Sequence, residues 1–264
     1  MFPARADRNV LVSALRERRL DRTLTEALPS IDPRDEQAVG STGLAGLDAR
    51  LGGGLPRGHL SEMAGPRSSG RTSLLLQCVA AATRRGELVA LVDALDMLDT
   101  ASVAAAGADL SRVLWIRGHV VTNPGLCRDL NQRAMEQALK ALGLVLQAGN
   151  FGLVVLDLGE APPDAVRRLP FTSWLRLQRM VAGTQTIGLL AGQAPVSRSA
   201  AGLSILLQPS GPGADAAGRQ VSTGARFEGP LFAGLELEAR VARARVRASD
   251  HVGLPMATRA ARHV

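Results

Sequence analysis

The residues best suited to chemistry form one octapeptide, Gly65-Pro66-Arg67-Ser68-Ser69-Gly70-Arg71-Thr72. It matches the phosphate-loop pattern G-x-x-x-x-G-K-[ST] at every fixed position except one, where Arg71 stands in place of lysine. In such a loop, backbone N–H groups surround phosphate oxygens at the start of a helix, and the hydroxyl of Thr72 holds Mg²⁺. A guanidinium is larger than an ammonium, planar and forked, so the replacement changes how the loop would hold phosphate. The pattern predicts a nucleotide-phosphate site made of Gly65, Ser68, Ser69, Gly70, Arg71 and Thr72; the alternative is a glycine- and serine-rich turn in an unrelated α/β sheet.

A second chemical group follows a strongly apolar segment. The run Leu153-Val154-Val155-Leu156 predicts a buried strand, and Asp157 follows it directly. An acid at that end of a strand helps to hold Mg²⁺ in P-loop NTPases. Thr72 and Asp157 are therefore the predicted metal ligands, provided that a nucleotide binds.

Short apolar strands alternate with helices around these groups, which predicts an α/β fold with a mainly parallel sheet covered on both faces. The predicted strands are 59–64, 88–93, 113–116, 152–158 and 186–192, and the predicted helices are 72–84, 98–106, 125–147 and 164–181. Residues 202–208 and 234–246 then predict antiparallel strands at the C-terminal edge of the sheet, joined by a glycine- and proline-rich loop.

An amphipathic helix is predicted ahead of this core, over residues 8–20, with Val10, Leu11 and Leu15 on its apolar stripe. A stripe of this kind packs either on its own domain or on a neighbouring molecule. The predicted organisation is an N-terminal helix and linker (1–38), a core (39–248) and a basic, flexible tail (249–264).

Composition excludes several classes of protein. Of the 264 residues, 46% are hydrophobic and 21% are charged, which is typical of a globular chain and not of a disordered or fibrous one. Two cysteines and four widely spaced histidines exclude a disulfide scaffold and argue against a zinc site. No apolar run is long enough to span a bilayer and the N-terminus lacks the features of a signal peptide, so we expect a soluble cytoplasmic protein that does not contact membranes.

Positive charge is concentrated near the C-terminus. The formal net charge is +7, and residues 239–264 hold six arginines against one acid. Such a stretch could follow the phosphates of DNA, or it could be a solvated, arginine-biased tail. The candidate contacts with DNA or with a partner protein are Arg198, Arg240, Arg243, Arg245 and Arg247.

The core resembles that of RecA recombinases over about residues 39–208. The resemblance rests on Ser41-Thr42-Gly43, Leu47-Asp48, the segment LGGGLPRG (51–58), Glu62, the phosphate loop, Leu91-Val92-Asp93-Ala94, Gly107-Ala108-Asp109-Leu110 and Leu189 to Gln193. It implies a P-loop ATPase core in which Gln193 senses the terminal phosphate. It also implies that Leu95 occupies the position of the catalytic glutamate, where a leucine cannot activate water. Asp96 lies one residue later and would point elsewhere. The two segments that match the DNA-binding loops of RecA are short (159–170 and 194–200), and a C-terminal domain is missing.

This combination is similar to the ImuA group, which are short, degenerate RecA relatives. The resemblance implies an accessory protein of damage-induced (SOS) mutagenic translesion DNA synthesis and DNA repair. Its implied partners are an ImuB-like inactive Y-family polymerase homologue and a replicative-type polymerase, with self-association or partner docking through the N-terminal helix. We therefore predict a non-hydrolysing scaffold that binds ATP or ADP with Mg²⁺, or no nucleotide at all. The alternatives are an active DNA-dependent ATPase or recombinase, and a cell-division inhibitor.

Four further side chains receive structural interpretations. Cys78 follows the loop on an apolar helix face and is predicted to lie in the core. Trp115 is predicted to pack within a buried strand. Trp174 and Phe171 are interpreted as core residues, with an interface or a DNA contact as the alternative.

Overall fold

The computed structural model describes residues 38–118, 128–197, 202–209, 236–244 and 253–257. Within these residues the strands are β1 (Val39–Gly40), β2 (Leu55–Pro56), β3 (Leu60–Ala64), β4 (Val89–Asp93), β5 (Val113–Arg117), β6 (Leu153–Asp157), β7 (Ile187–Gly192), β8 (Leu203–Pro209), β9 (Glu236–Ala244) and β10 (Leu254–Ala257). The helices are α1 (Ala45–Arg50), α2 (Arg71–Arg84), α3 (Thr100–Ala105), α4 (Arg128–Ala148), α5 (Pro163–Arg167) and α6 (Phe171–Val181), with a 3₁₀ turn at Leu110–Arg112.

Eight of the described strands form one sheet in the order β10-β9-β8-β3-β7-β6-β4-β5. The strands from β8 to β5 are parallel to one another, whereas β9 and β10 pair antiparallel at the edge. The predicted α/β fold, with a mainly parallel sheet and antiparallel strands at its C-terminal edge, is confirmed.

Both faces of the sheet are covered by apolar side chains. Along β4, Val89 and Leu91 pack into the core on the side of α1, α2 and α3, while Ala90 and Val92 pack on the side of α4, α5 and α6. This alternation follows from the two-residue period of a strand. It explains why the central strands are apolar at almost every position.

Polar side chains and prolines set the helix ends. Helix α3 begins at Thr100 because the carboxylate of Asp99 accepts the N–H groups of Ala101 (3.1 Å) and Ser102 (3.0 Å), so the predicted start at residue 98 is too early. The single helix predicted over 164–181 is wrong, since α5 ends before Pro170 and α6 begins after it. A proline disfavours the helical conformation of the residue before it.

The edge position of β5 corrects the interpretation of Trp115. In the described sheet β5 pairs with β4 alone, and Leu114 is 47% exposed. Trp115 is half-buried rather than buried, and its indole N–H donates to Asp93 Oδ2 at 3.2 Å. The apolar run over 113–116 did not distinguish a central strand from an edge strand.

The other core predictions are confirmed. Trp174 is 2% exposed and lies in the core beneath α4, with the partly buried Phe171 packed against the same cluster. Cys78 is 2% exposed, and burial raises the pKa of its thiol to about 12. Both observations place these side chains in packing roles.

Several predicted features lie outside the described residues. These are the helix with Val10, Leu11 and Leu15, and three of the five candidate contact residues, Arg198, Arg245 and Arg247. In the predicted tail, residues 254–257 instead form β10, since Leu254 and Met256 pack against the core; for these four residues the tail prediction is wrong. Among the helices that the structure describes, none is both long and apolar enough to cross a membrane.

Candidate nucleotide site

The loop between β3 and α2 has the tight backbone that a phosphate loop requires. A Cβ on Gly65 would come within 2.6 Å of the carbonyl oxygen of Leu207, so only glycine fits there. Gly70 has φ of 77° and Ser68 has φ of 59°, both left-handed. The two glycines of the motif are therefore explained by the path of the loop.

Helix α2 presents its N-terminus to the loop. Its N-cap is Gly70, which has no side chain to accept the free N–H groups of the first turn. The hydroxyl of Ser69 is buried without a hydrogen-bond partner. Unsatisfied donors at the positive end of a 14-residue helix favour a bound anion, so the backbone fits a phosphate group.

The side chain of Arg71 turns back into the protein. Arg71 is 6% exposed, and its Nη1 donates to the carbonyl of Gly65 at 2.5 Å and, more weakly, to that of Gly192 at 3.3 Å. A Cβ on Gly159 would collide with the other guanidinium nitrogen. Burial lowers the pKa of Arg71, while the carboxylates of Asp157 and Glu160 oppose this. The cation that the motif should offer to phosphate is thus occupied by two backbone carbonyls.

Glu160 lies beside the loop and was missed by the sequence analysis. Its carboxylate pairs with the exposed Arg67 of the loop and lies 3.8 Å from Nη2 of Arg71. A carboxylate that pairs with Arg67 and lies near Arg71 competes with phosphate for the same positive charge. Its position three residues after Asp157, on the same edge of the sheet, was the available signal.

The two predicted Mg²⁺ ligands lie on the elements expected of them. Thr72 is exposed in the first turn of α2, and Asp157 ends β6, where it aligns with Asp93 of the neighbouring β4. Burial raises the pKa of Asp157, an effect that the N–H of Gly159 and the charge of Arg71 partly oppose. Asp157 Oδ1 accepts the Gly159 N–H at 2.8 Å. A hydroxyl and a carboxylate are suitable ligands for Mg²⁺.

Leu95 is part of the core. It is 4% exposed and packs in the cluster on the side of α4. Asp96, the next residue, has φ of 59° and accepts both Nε and Nη2 of Arg117 at 2.7 Å. The hydrogen bonds from Arg117 lower the pKa of Asp96. Its carboxylate therefore pairs with β5, consistent with the expectation that Asp96 points elsewhere.

Gln193, at the end of β7, contacts the segment after β6. Its side-chain N–H₂ donates to the carbonyl of Gly159 at 3.1 Å and, at the limit of a hydrogen bond, to that of Ala161 at 3.5 Å. It is half-buried. The amide thus connects the ends of β6 and β7.

The connection from β7 to β8 is unusually short. Residues 193–202 join two strands that both run parallel to β3, whereas a parallel crossover usually takes a dozen or more residues and contains a helix. The buried carboxylate of Glu62 accepts the N–H groups of Val196 and Ser197, both at 3.0 Å, and the hydroxyl of Ser204 at 2.6 Å. The crossover is thus bonded to the middle of β3.

The two described arginines of the basic stretch lie on β9. Arg240 and Arg243 are exposed, and they align with Leu206 and Ser204, two residues apart on β8. The register shift between Ser204 and Ile205 therefore brings both arginines to the same face of the sheet. They lie on the far side of β3 from β7, on the antiparallel part of the sheet.

The whole arrangement can bind a phosphate group through backbone N–H groups, and it has ligands for a cation. Three residues that the resemblance places near the terminal phosphate and the attacking water do not face an open site. Arg71 and Gln193 bond to backbone carbonyls, and Leu95 is apolar and buried. The loop backbone and the two candidate cation ligands are thus in place, whereas Arg71, Gln193 and Leu95 make contacts within the protein.

Comparisons with known proteins agree with this geometry. The profile of the RecA N-terminal domain matches residues 26–162. Protein RecA of Rhizobium leguminosarum bv. viciae is 31% identical over 168 residues, which cover 58% of this chain and 44% of that protein. Protein RecA of Leifsonia xyli subsp. xyli is 36% identical over 161 residues (59% and 41%), and that of Clostridioides difficile is 36% identical over 118 residues (44% and 30%).

The matched segments thus span less than half the length of these relatives. The profile match includes the phosphate loop and ends just beyond β6 and Asp157. Because that profile covers more than half of the chain and the strand–loop–helix geometry at residues 60–84 agrees with it, the chain belongs to the RecA N-terminal domain family.

Proposed function

We propose that this RecA-family protein does not hydrolyse ATP and acts as an accessory scaffold of a damage-induced, mutagenic translesion DNA synthesis complex. The observation that carries the proposal is the burial of Leu95, which the resemblance places at the position of the catalytic glutamate. A buried leucine neither accepts a proton nor orients water. Asp96 next to it is paired with Arg117 and is not available to replace it.

Two further contacts support the loss of hydrolysis. The guanidinium of Arg71 is bonded to the carbonyls of Gly65 and Gly192, so presenting it to a terminal phosphate requires breaking buried hydrogen bonds. Gln193 is bonded to the carbonyl of Gly159. Three groups with separate roles in the resemblance thus make internal contacts instead.

Nucleotide binding is a separate part of the proposal. The backbone of residues 65–72 would hold the phosphates, and Thr72 and Asp157 would hold Mg²⁺. A bound Mg-nucleotide would supply negative charge that replaces Glu160 as the partner of Arg67 and Arg71. It would then act as a structural ligand that fixes the loop.

The proposed partners are an ImuB-like inactive polymerase homologue and a replicative-type polymerase, with DNA contact through Arg240 and Arg243 and self-association through residues 8–20. The common face of the two arginines supports the DNA contact, since a pair of exposed cations on one face can follow a phosphate backbone. The similarity of the sequence to the ImuA group supports the two polymerase-type proteins as partners.

An active DNA-dependent ATPase is the second candidate. It is favoured by the intact loop backbone, by the aligned acids Asp93 and Asp157, and by the similarity to Protein RecA. It would need Arg71 to swing out and another group to activate water.

The deciding experiment measures ATP turnover with and without single-stranded DNA, in parallel with titration of Mg-ATP and Mg-ADP. We expect a rate at background that neither DNA nor Thr72→Ala changes. Turnover that DNA stimulates and Thr72→Ala abolishes would establish the ATPase instead. Co-purification with the polymerase homologue tests the scaffold role separately from hydrolysis.

A further inference from the structure

A groove of about 590 Å³ runs between α4 and α6, away from the phosphate loop. Its walls are one face of each helix, and Leu169 and Pro170, between α5 and α6, close one side. It is lined by Glu136, Leu139, Lys140, Gly143, Leu144, Gln147, Leu169, Pro170, Ser173, Arg176, Leu177 and Met180. None of the described elements covers it.

The wall formed by α4 contains a glycine, Gly143, next to an exposed leucine, Leu144. Leu144 is 68% exposed, although its side chain is large and apolar. Gly143 lies near the middle of the groove, where glycine costs the helix roughly 1 kcal/mol relative to alanine. The protein's own packing does not explain this glycine, because an added Cβ would meet only Met180 Cε, at an ordinary 3.7 Å. A glycine beside an exposed leucine suits the close approach of another molecule.

The opposite wall, formed by α6, has two apolar residues among those that line it. Leu177 is buried at the base, and Met180 is half-buried at the side. Methionine has a flexible thioether chain that adjusts to different partners. A hydrophobic groove between two helix faces is the usual acceptor for the apolar face of an amphipathic helix.

Charge specifies the chemistry of the occupant. Lys140 projects from α4 and Arg176 from α6, and both are exposed at the walls of the groove. The single lining acid, Glu136, accepts a hydrogen bond from Gln132 at 3.2 Å. The lining is therefore net positive, so an incoming segment with carboxylates beside its apolar residues is favoured.

We propose that this groove is a docking site for an amphipathic helix of another protein that carries acidic residues beside its apolar face. The chain's own segment 8–20 does not match this chemistry, since it holds four arginines and one glutamate. Two copies of the groove facing each other would both carry this positive lining, which disfavours a symmetric dimer through this face. The proposal goes beyond the proposed function, because it depends neither on the phosphate loop nor on a polymerase.

The test is a selection of 14-residue helical peptides from a display library on the full-length chain. The blocking variant is Gly143→Gln, which fills the groove while improving helix propensity and should therefore fold. The matched control is Thr172→Gln, at an exposed position of α6 outside the groove. We expect the enriched peptides to place apolar residues at helical spacing with an excess of acids. They should bind Gly143→Gln at least about tenfold more weakly, and should bind Thr172→Gln as they bind the parent protein.

Charge reversal tests the predicted partner. Lys140→Glu and Arg176→Glu should each weaken the selected peptides about fivefold or more at low salt, and less at high salt. A synthetic peptide of residues 8–20 should not compete with them. The proposal is overturned if no peptide sensitive to Gly143→Gln is enriched, if the sensitive peptides carry no acidic excess, or if the 8–20 peptide displaces them. It is also overturned if the protein sediments as a dimer that Gly143→Gln dissociates.

Discussion

Two buried arginines lie at opposite ends of β3, and their positive charges are compensated in different ways. Arg57, before β3, is 5% exposed; it pairs with the buried Glu87 and donates to the carbonyl of Gln185 at 2.8 Å. Glu87 also accepts two bonds from Arg85, at 2.9 and 3.0 Å. Arg71, after β3, is 6% exposed, but its close partners are carbonyls, and the Glu160 carboxylate is 3.8 Å away.

The difference distinguishes an ion cluster, in which a carboxylate contacts the guanidinium, from a site in which the guanidinium bonds to neutral carbonyls and the nearest ion-pair partner is 3.8 Å away. At Arg57 a carboxylate that is itself buried neutralises the charge at contact distance. At Arg71 the compensation is more distant, and burial lowers the pKa of the guanidinium. An anion arriving at the loop would therefore gain more from Arg71 than from Arg57.

The largest effect on stability is expected at the Arg57–Glu87 ion cluster. Arg57→Ala leaves Glu87 buried beside Arg85 alone, and we expect the free energy of unfolding to fall by about 3–5 kcal/mol. Urea denaturation followed by circular dichroism measures this. Arg67→Ala is the control, since it breaks an exposed pair with Glu160 worth less than about 1 kcal/mol. Equal losses of stability in the two variants would show that the Arg57–Glu87 pair contributes no more than the exposed pair at the phosphate loop.

The next largest effect on stability is expected at Leu95, which is a core residue close to the candidate nucleotide site. Leu95→Ala should lower the free energy of unfolding by about 2–5 kcal/mol, because it leaves a cavity in the cluster beneath α4. Leu95→Met, which nearly conserves volume, should cost less than about 1.5 kcal/mol. Calorimetry of both variants tests this, and a cost below 1 kcal/mol for Leu95→Ala would contradict the packing role.

Arg71→Lys should have a smaller effect on stability and a larger one on binding. Lysine cannot reproduce the forked contacts to Gly65 and Gly192, so we expect a loss of roughly 1–3 kcal/mol in the free energy of unfolding. Its released ammonium should strengthen the binding of Mg-ADP, measured by isothermal titration. Arg67→Lys provides the matched exposed control. Unchanged or weaker binding by Arg71→Lys would show that the cation was already available to phosphate.

The smallest effect is a pH dependence at Asp157. Its pKa is raised in the folded protein, so its contribution to stability is present at low pH and is lost as the pH rises through the folded pKa. Asp157→Asn should therefore raise Tm at neutral pH, and the gain should vanish in acid. Asp96→Asn should behave oppositely, because Arg117 lowers the pKa of Asp96 and stabilises the folded protein above the unfolded pKa. Melting curves across pH test both signs.

The sequence was sufficient for the parts that local pattern determines. The loop could be predicted because its glycines are required by backbone sterics at Gly65 and Gly70. Asp157 could be predicted because the apolar run over residues 153–156 indicates a buried strand, and an acid directly after such a run marks the carboxyl end of the strand. The break at Pro170 was missed, although the signal was present in the sequence, since proline disfavours the helical conformation of its predecessor.

Contacts between distant residues could not be predicted in the same way. Arg71 bonds to the nearby carbonyl of Gly65, but its inward position also involves the carbonyl of Gly192, 121 positions away, and the missing side chain of Gly159. Trp115 is only half-buried because β5 is the outermost strand of the described sheet. The order of strands in a sheet cannot be predicted from any single segment of the sequence. Glu160 gains its role only because the start of α2 lies beside the segment that follows β6.

The bonds from Glu62 to the crossover after Gln193 have a consequence for motion. Hydrogen bonds to a charged group are worth about 1.5–3 kcal/mol each, and here they also keep a buried carboxylate from being left without donors. The amides of Val196 and Ser197 should therefore exchange slowly with solvent although they lie outside any helix or strand. A ligand that displaces Gln193 would therefore have to move residues 196–197 together with Glu62, or break the bonds between them.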